Sequence, residues 1–164
     1  MPTIPDFYSE CEDALKFSLL ELTDFFSEEY QVGSDDTAIA RGGDYFIVLR
    51  PGSFPTFSSM NAGKIKDIDW GTVMDVYVRY VEYEKSWTAF KEFRAALFWK
   101  INNNPFLECK VQTSKSAKNV WQVNLSSDEN AQYFRFSDDE TQVPNFIIQT
   151  MSFTARQRVE FTEY

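Results

Sequence analysis

Two long stretches of alternating polarity constrain this chain more than any other feature. From Asp69 to Val81, Trp70, Met74, Val76, Val78 and Tyr80 share one side with Thr72 between them, while Asp75, Tyr77 and Arg79 take the other. From Asn145 to Phe161, Ile147, Met151, Phe153 and Ala155 alternate with Ile148, Thr150, Ser152, Thr154, Arg156 and Arg158. Side chains of a strand point alternately to its two faces, so a period of two marks a half-buried strand. Both runs exceed the usual strand length of about five or six residues. They are expected to pair at the middle of a sheet, with Trp70 in the core beneath whatever covers its apolar face.

Two segments of helical period supply that cover. Over residues 9–28, Cys11, Leu15, Leu19, Leu22 and Phe26 follow helical spacing, and Ser9 with Glu12 reads as a capping box. Glu10, Asp13, Glu21, Asp24 and Glu28 fall on the opposite side, with Phe17 among them, and the turn Gly33-Ser34-Asp35-Asp36 ends the unit. Over residues 84–103, Trp87, Phe90, Phe93, Leu97, Phe98 and Ile101 cluster on one side of the wheel, with Trp99 on the far side near Glu92 and Ala95. Asn102-Asn103-Asn104-Pro105 stops this helix, since the residue before proline is biased away from helical backbone.

The remaining apolar runs are short. Thr37–Ala40 and Tyr45–Leu49 flank Gly42-Gly43 and read as a hairpin or a bulged strand over 37–49. Pro51–Gly63 is punctuated by prolines and glycines and reads as a loop, although Phe54, Phe57 and Met60 give it much apolar surface. Strands are expected at 106–111, 120–125 and 132–136, separated by polar turns. The sum is an α+β fold: a mainly antiparallel or mixed sheet with two principal helices packed on it, in a single domain over residues 1–164. That length suffices to bury a core without disulfides or metal. Cys11 and Cys109 sit in apolar-periodic segments and read as reduced core residues. No stretch is long and apolar enough to span a bilayer, and the start Met1-Pro-Thr-Ile-Pro-Asp lacks the basic and apolar regions of a signal peptide, so an intracellular chain off the membrane is expected.

The chain contains no histidine. This removes the commonest general base and metal ligand and every Ser–His or Cys–His dyad. Residues 1–36 hold ten acids and one base, Lys16, for −9; residues 37–164 hold fifteen acids and fifteen bases. The whole net charge of −9 thus resides in the first segment, and no basic stripe suited to a phosphate backbone appears. The acidic clusters Asp35-Asp36, Asp128-Glu129 and Asp138-Asp139-Glu140 lack the alternation, central glycine and closing glutamate of a calcium loop, and read as solvated turns. No catalytic residue, cofactor or metal site is expected. The stripes that form the core leave Phe17, Trp99, Phe54 and Phe57 unexplained; with Met60 these are the candidate protein contacts.

The order of these elements resembles one family. An acidic N-terminal helix leads to the Tyr45-Phe-Ile-Val-Leu49 strand, which ends in Arg50-Pro51-Gly52 and a loop. The long Trp70–Val81 strand follows, then a helix ending in Asn104-Pro105, a leucine-containing strand, short hairpins and a long C-terminal strand. This is similar to the tail terminators (tail-completion or head-to-tail joining proteins) of long-tailed bacteriophages, over most of the chain. The resemblance implies a homo-oligomeric ring, usually of six subunits, in the tail-neck region of a virion made in the host cytoplasm. Such a ring caps the tail tube protein, ends its polymerisation and docks on the head connector or head-completion protein, while DNA passes through without specific binding. No catalytic residue carries over from such a family, and no partner-binding residue maps by motif. An acidic surface suits a conduit that DNA must not adhere to. The rival readings are another phage structural subunit (tail tube or head closure), and a small-molecule-binding domain or carboxylate-based hydrolase.

Overall fold

The computed structural model describes residues 6–36, 39, 41–53, 55–58 and 65–160. The elements are α1 (Phe7–Leu20), β1 (Val32–Gly33), β2 (Tyr45–Pro51), β3 (Thr56–Ser58), β4 (Ile65–Arg79), α2 (Tyr83–Asn102), β5 (Val120–Ser126), β6 (Gln132–Phe134) and β7 (Phe146–Glu160), with short 3-10 turns at Glu29–Gln31 and Thr113–Lys115. They form one mixed, mostly antiparallel sheet in the order β1-β2-β4-β7-β5, so the fold is α+β as expected.

The two alternating runs form the centre of that sheet. β4 and β7 pair antiparallel from Ile65↔Glu160 to Arg79↔Phe146 without a break. Each then carries two short strands on its outer side: β3 and β2 along β4, β5 and β6 along β7. The helices cover one face. Met74, Val76, Val78, Ile147, Met151, Phe153 and Ala155 pack there against Cys11, Ala14, Leu15 and Leu19 of α1 and Phe90, Phe93, Leu97 and Ile101 of α2.

The uncovered face follows from the same register. Asp67 lies opposite Arg158 and Asp69 opposite Arg156. Arg158 donates from Nε and Nη2 to Asp67 at 2.9 and 3.2 Å, and Arg156 to Asp69 at 2.6 and 2.8 Å. Arg50 makes the same fork to Asp75 at 2.8 and 3.0 Å, with Thr150 Oγ1 donating to Asp75 at 2.8 Å. Bidentate pairs of this kind hold planar geometry better than single contacts do. At the far end of this face Phe46, Val48, Tyr77 and Phe146 form a second apolar cluster. Where β2 ends, Gly52 donates its N–H to the Gly71 carbonyl at 2.9 Å, and a Cβ at Gly52 would sit 2.8 Å from that carbonyl group. Only glycine fits there.

Several expectations need correction. The first helix is capped by Asp6, which accepts from Ser9 N at 3.0 Å and Ser9 Oγ at 2.7 Å, so Ser9 does not cap it. It stops at Leu20 and does not run to 28. Tightened turns follow, with Leu22 N on Leu19 O and Phe25 N and Phe26 N both on Leu22 O. A continued helix would point Phe25 and Phe26 about 100° apart; the turns bring both rings onto Phe93, at 5.0 and 5.5 Å. The 37–49 strand begins only at Tyr45; Ile39 is helical, its N–H on the Asp36 carbonyl, and Thr37, Ala38 and Ala40 lie outside the described residues. The 51–63 segment is not all loop, because β3 pairs with β4 through Phe57↔Ile68, and β4 itself starts at Ile65 and not at 69.

Residues 106–111 form no strand. Asn104 bridges to Glu108 through both its amide groups, Leu107 adopts φ 50°, and Glu21 accepts the N–H groups of Lys110 and Val111 that a strand would have offered to a neighbour. Trp70 is half-buried, packed on Phe7 and Tyr8 at the mouth of α1, and not a full core residue. Both cysteines are buried free thiols. Among the described residues no helix is long and apolar enough to cross a membrane.

Candidate functional site

α2 carries two adjacent stripes. The first, through Ser86, Phe90, Phe93, Leu97 and Ile101, faces the core. The second begins one step round the helix and runs Tyr83, Trp87, Lys91, Arg94, Ala95, Phe98 and Trp99. Residues three and four apart in a helix share a face, so this second stripe is one continuous outer flank. Phe98 was expected in the core with its neighbours, but it is 57% exposed; Trp99, expected outside, is 69% exposed. Phe98 fell between the two stripes on the wheel, and the sheet decides the matter by ending at β5 before reaching it.

Beneath this flank the sheet edge is interrupted. β5 pairs with β7 at residues 152–157 and β6 at 146–148; between them the 127–131 segment leaves the backbone ladder and is held to β7 through side chains, Ser127 Oγ donating to the Thr150 carbonyl at 2.7 Å. A groove of about 580 Å³ lies here, lined by Lys91, Arg94, Phe98 and Trp99 above and Leu125, Ser127, Gln149 and Met151 below. Gln149 Nε2 donates to Ser127 Oγ at 3.2 Å and to the Glu129 carbonyl at 2.8 Å. Its buried Oε1 finds no donor among the described residues. The only ionisable side chains lining the groove, Lys91 and Arg94, are cationic, and neither is in an ion pair among the described residues. Tyr83, Glu84, Trp87, Thr88 and Lys91 line a second hollow farther up the flank.

The other sequence candidates do not join this surface. Phe17 is half-buried against the core, with the Lys16 and Lys115 ammonium groups over its ring at 5.4 and 5.1 Å. It lines a separate hollow of about 270 Å³ with Phe26 and Val111. Phe57 is 57% exposed at the β3 end of the sheet, under Lys66 at 5.5 Å. Phe54 and Met60 lie outside the described residues. The grouping around Trp99 was legible only in part, because the groove depends on a sheet break that the sequence does not announce.

The acidic side of α1 is also divided. Glu10 accepts the Lys118 N–H, and Glu21 accepts from Lys100 Nζ and from the Lys110 and Val111 N–H groups. Burial alone would raise the Glu21 carboxyl, but Lys100 and these N–H groups outweigh it and hold it below its ordinary range. These two acids staple the 104–119 segment to α1. Asp24, Glu28, Glu29, Asp35 and Asp36 remain exposed around β1, on a segment fixed by buried Gln31. Gln31 accepts from Ser27 N and Glu28 N at 2.8 and 2.9 Å and donates to the Tyr45 carbonyl at 3.2 Å. Among the described residues no group of three or more Cys, Asp or Glu side chains is arranged to hold a metal ion. No protein-family model matches the sequence, and no curated protein matches it.

Proposed function

We propose that this chain is a structural subunit that assembles with its own copies and, following its resemblance to tail terminators, forms a ring that caps a phage tail tube and joins it to the head connector. The observation that supports this reading is the outer flank of α2, where Tyr83, Phe98 and Trp99 stand exposed beside unpaired Lys91 and Arg94. Aromatic and arginine side chains grouped on a rigid element are the usual centre of a protein contact. Here they lie on a helix anchored by four buried apolar residues, so the surface is held in place before any partner arrives. In this reading the partners are the chain itself, the tube protein and the head-completion protein; the site is the neck of the virion, and the bore passes DNA without gripping it.

Light scattering on the purified protein, followed by negative-stain imaging, tests the reading. The expected result is a closed ring with a central opening that ends purified tubes at fixed length. A subunit that adds to tubes and lengthens them is a tube protein, and one that binds only connectors is a head-closure protein. A chain that stays monomeric up to millimolar concentration overturns the proposal.

A further inference from the structure

We infer that the α2 flank is one half of a head-to-tail contact between copies of this chain, and that the acidic segment Asp24–Asp36 of the next copy is the other half. The identity of the partner rests on the ring reading above; the inference adds which two surfaces meet.

Their positions come first. α1 packs on β1 and β4, and α2 on β4, β5 and β7. Segment 24–36 ends in β1, one edge strand, while the groove under α2 opens at β5, the other edge. The two surfaces therefore occupy opposite lateral edges of one subunit. Contact between two different surfaces repeats the same rotation from copy to copy, and it makes a ring when that rotation closes.

Charge then selects this pairing over its alternatives. Segment 24–36 holds Asp24, Glu28, Glu29, Asp35 and Asp36 and no basic residue. The groove offers Lys91 and Arg94 beside Trp99. Groove against groove sets cation on cation, and edge against edge sets five acids on five; like charges brought together oppose both self-pairings. Glu92, Asp128 and Glu129 do not line the groove, and Glu84 shares the upper hollow with Lys91 without an ion pair between them among the described residues.

A charge-swap experiment tests this. One variant carries K91E and R94E, the other D24K, E29K and D36K, which turns the five-acid segment net basic; all five side chains are exposed, so both should melt within a few degrees of the parent. Each variant alone should lose self-association by about a hundredfold or more, since each now meets its own sign. An equimolar mixture should reassemble, because in an alternating ring the reversed, acidic groove of one variant faces the reversed, basic edge of the other, and the unreversed basic groove faces the unreversed acidic edge. Alternation closes a ring with an even number of subunits. Assembly of the parent should also weaken as salt rises. If the parent forms rings and both variants do so equally well, the contact lies elsewhere and the ring reading stands. Variants that dissociate but fail to reassemble on mixing also overturn the pairing. A parent that never assembles removes both the pairing and the ring.

Discussion

Gln157 is a buried polar residue at the centre of an apolar layer, and replacing it with leucine probes how the first helix is held on the sheet. Its Oε1 accepts from Trp70 Nε1 at 3.0 Å and, weakly, from Cys11 Sγ at 3.8 Å; its Nε2 donates to the Lys118 carbonyl at 2.8 Å. The residue is 2% exposed. Gln157→Leu keeps the volume and strands the indole N–H and the carbonyl. An orphaned buried group costs about 1–3 kcal/mol. Lys118 is exposed and its carbonyl can regain water, and Trp70 is half-buried, so the lower end applies to both. Added apolar burial returns up to about 1 kcal/mol. The expected net loss is about 1–2 kcal/mol, or a fall of roughly 2–8 °C in Tm for a domain of this size. Trp70→Phe removes the same donor, so in a double-mutant cycle by urea melts the two changes should couple by about 1 kcal/mol. A coupling within about 0.3 kcal/mol of zero would refute the bond between indole and amide.

Two further outcomes follow from buried titratable groups. Burial pushes the Cys11 thiol up to about 12 and the Cys109 thiol up to about 11, so in the folded protein at pH 8 neither should react with a thiol reagent that labels both in urea; rapid native labelling would show the helix layer to be open. Because Glu21 is depressed in the folded state, its contribution is present above its unfolded value near 4.5 and is lost as pH falls through the lower folded value. Glu21→Gln should therefore cost about 1–3 kcal/mol at pH 7 and progressively less as pH falls below 4.5, measured by denaturant melts across pH; a loss independent of pH would mean that the charge is not what binds Lys100 and the 110–111 backbone.

The two long strands and the second helix were legible because each buries one continuous face, and burial on one face is what periodicity records. β4 outran its expected start because Lys66, Asp67 and Asp69 break the apolar pattern, while Arg156 and Arg158 opposite them satisfy two of those carboxylates. Sequence alternation registers Asp67 as solvent-facing, yet it is buried. Gln149 and Gln157 were silent for a related reason: both sit on the inward face, where hydrogen bonds from distant segments permit an amide. The absent 106–111 strand has a long-range cause. Glu21, which looked like one more acid on a solvated face, spends its carboxylate on the backbone of that later segment. A contact over some ninety residues of chain leaves no local signal. For the flank of α2, the wheel found Trp99 but could not tell where the sheet beneath it stops.

That stopping point separates folding from assembly in this molecule. The core stripe of α2 and its outer flank differ by about 100° round the helix, yet only the first supplies fully buried residues. Displaying Phe98 and Trp99 to water does nothing for the fold, since burying either would be worth about 1.5–3 kcal/mol and the sheet leaves both uncovered. At the opposite edge the same holds for charge: Glu10 and Glu21 do structural work, while Asp24, Glu28 and Glu29 sit exposed on a segment that Gln31 fixes from below. A chain selected for stability alone would gain by replacing the aromatics with lysine and thinning the acids. Both features, apolar at one edge and anionic at the other, stay exposed on the subunit, where Glu29 keeps a 3.9 Å ion pair with Lys16, and in the proposed contact they would face each other. Substitutions confined to them should therefore move assembly while leaving the melting curve in place, and that independence is what distinguishes a contact surface from a poorly covered core.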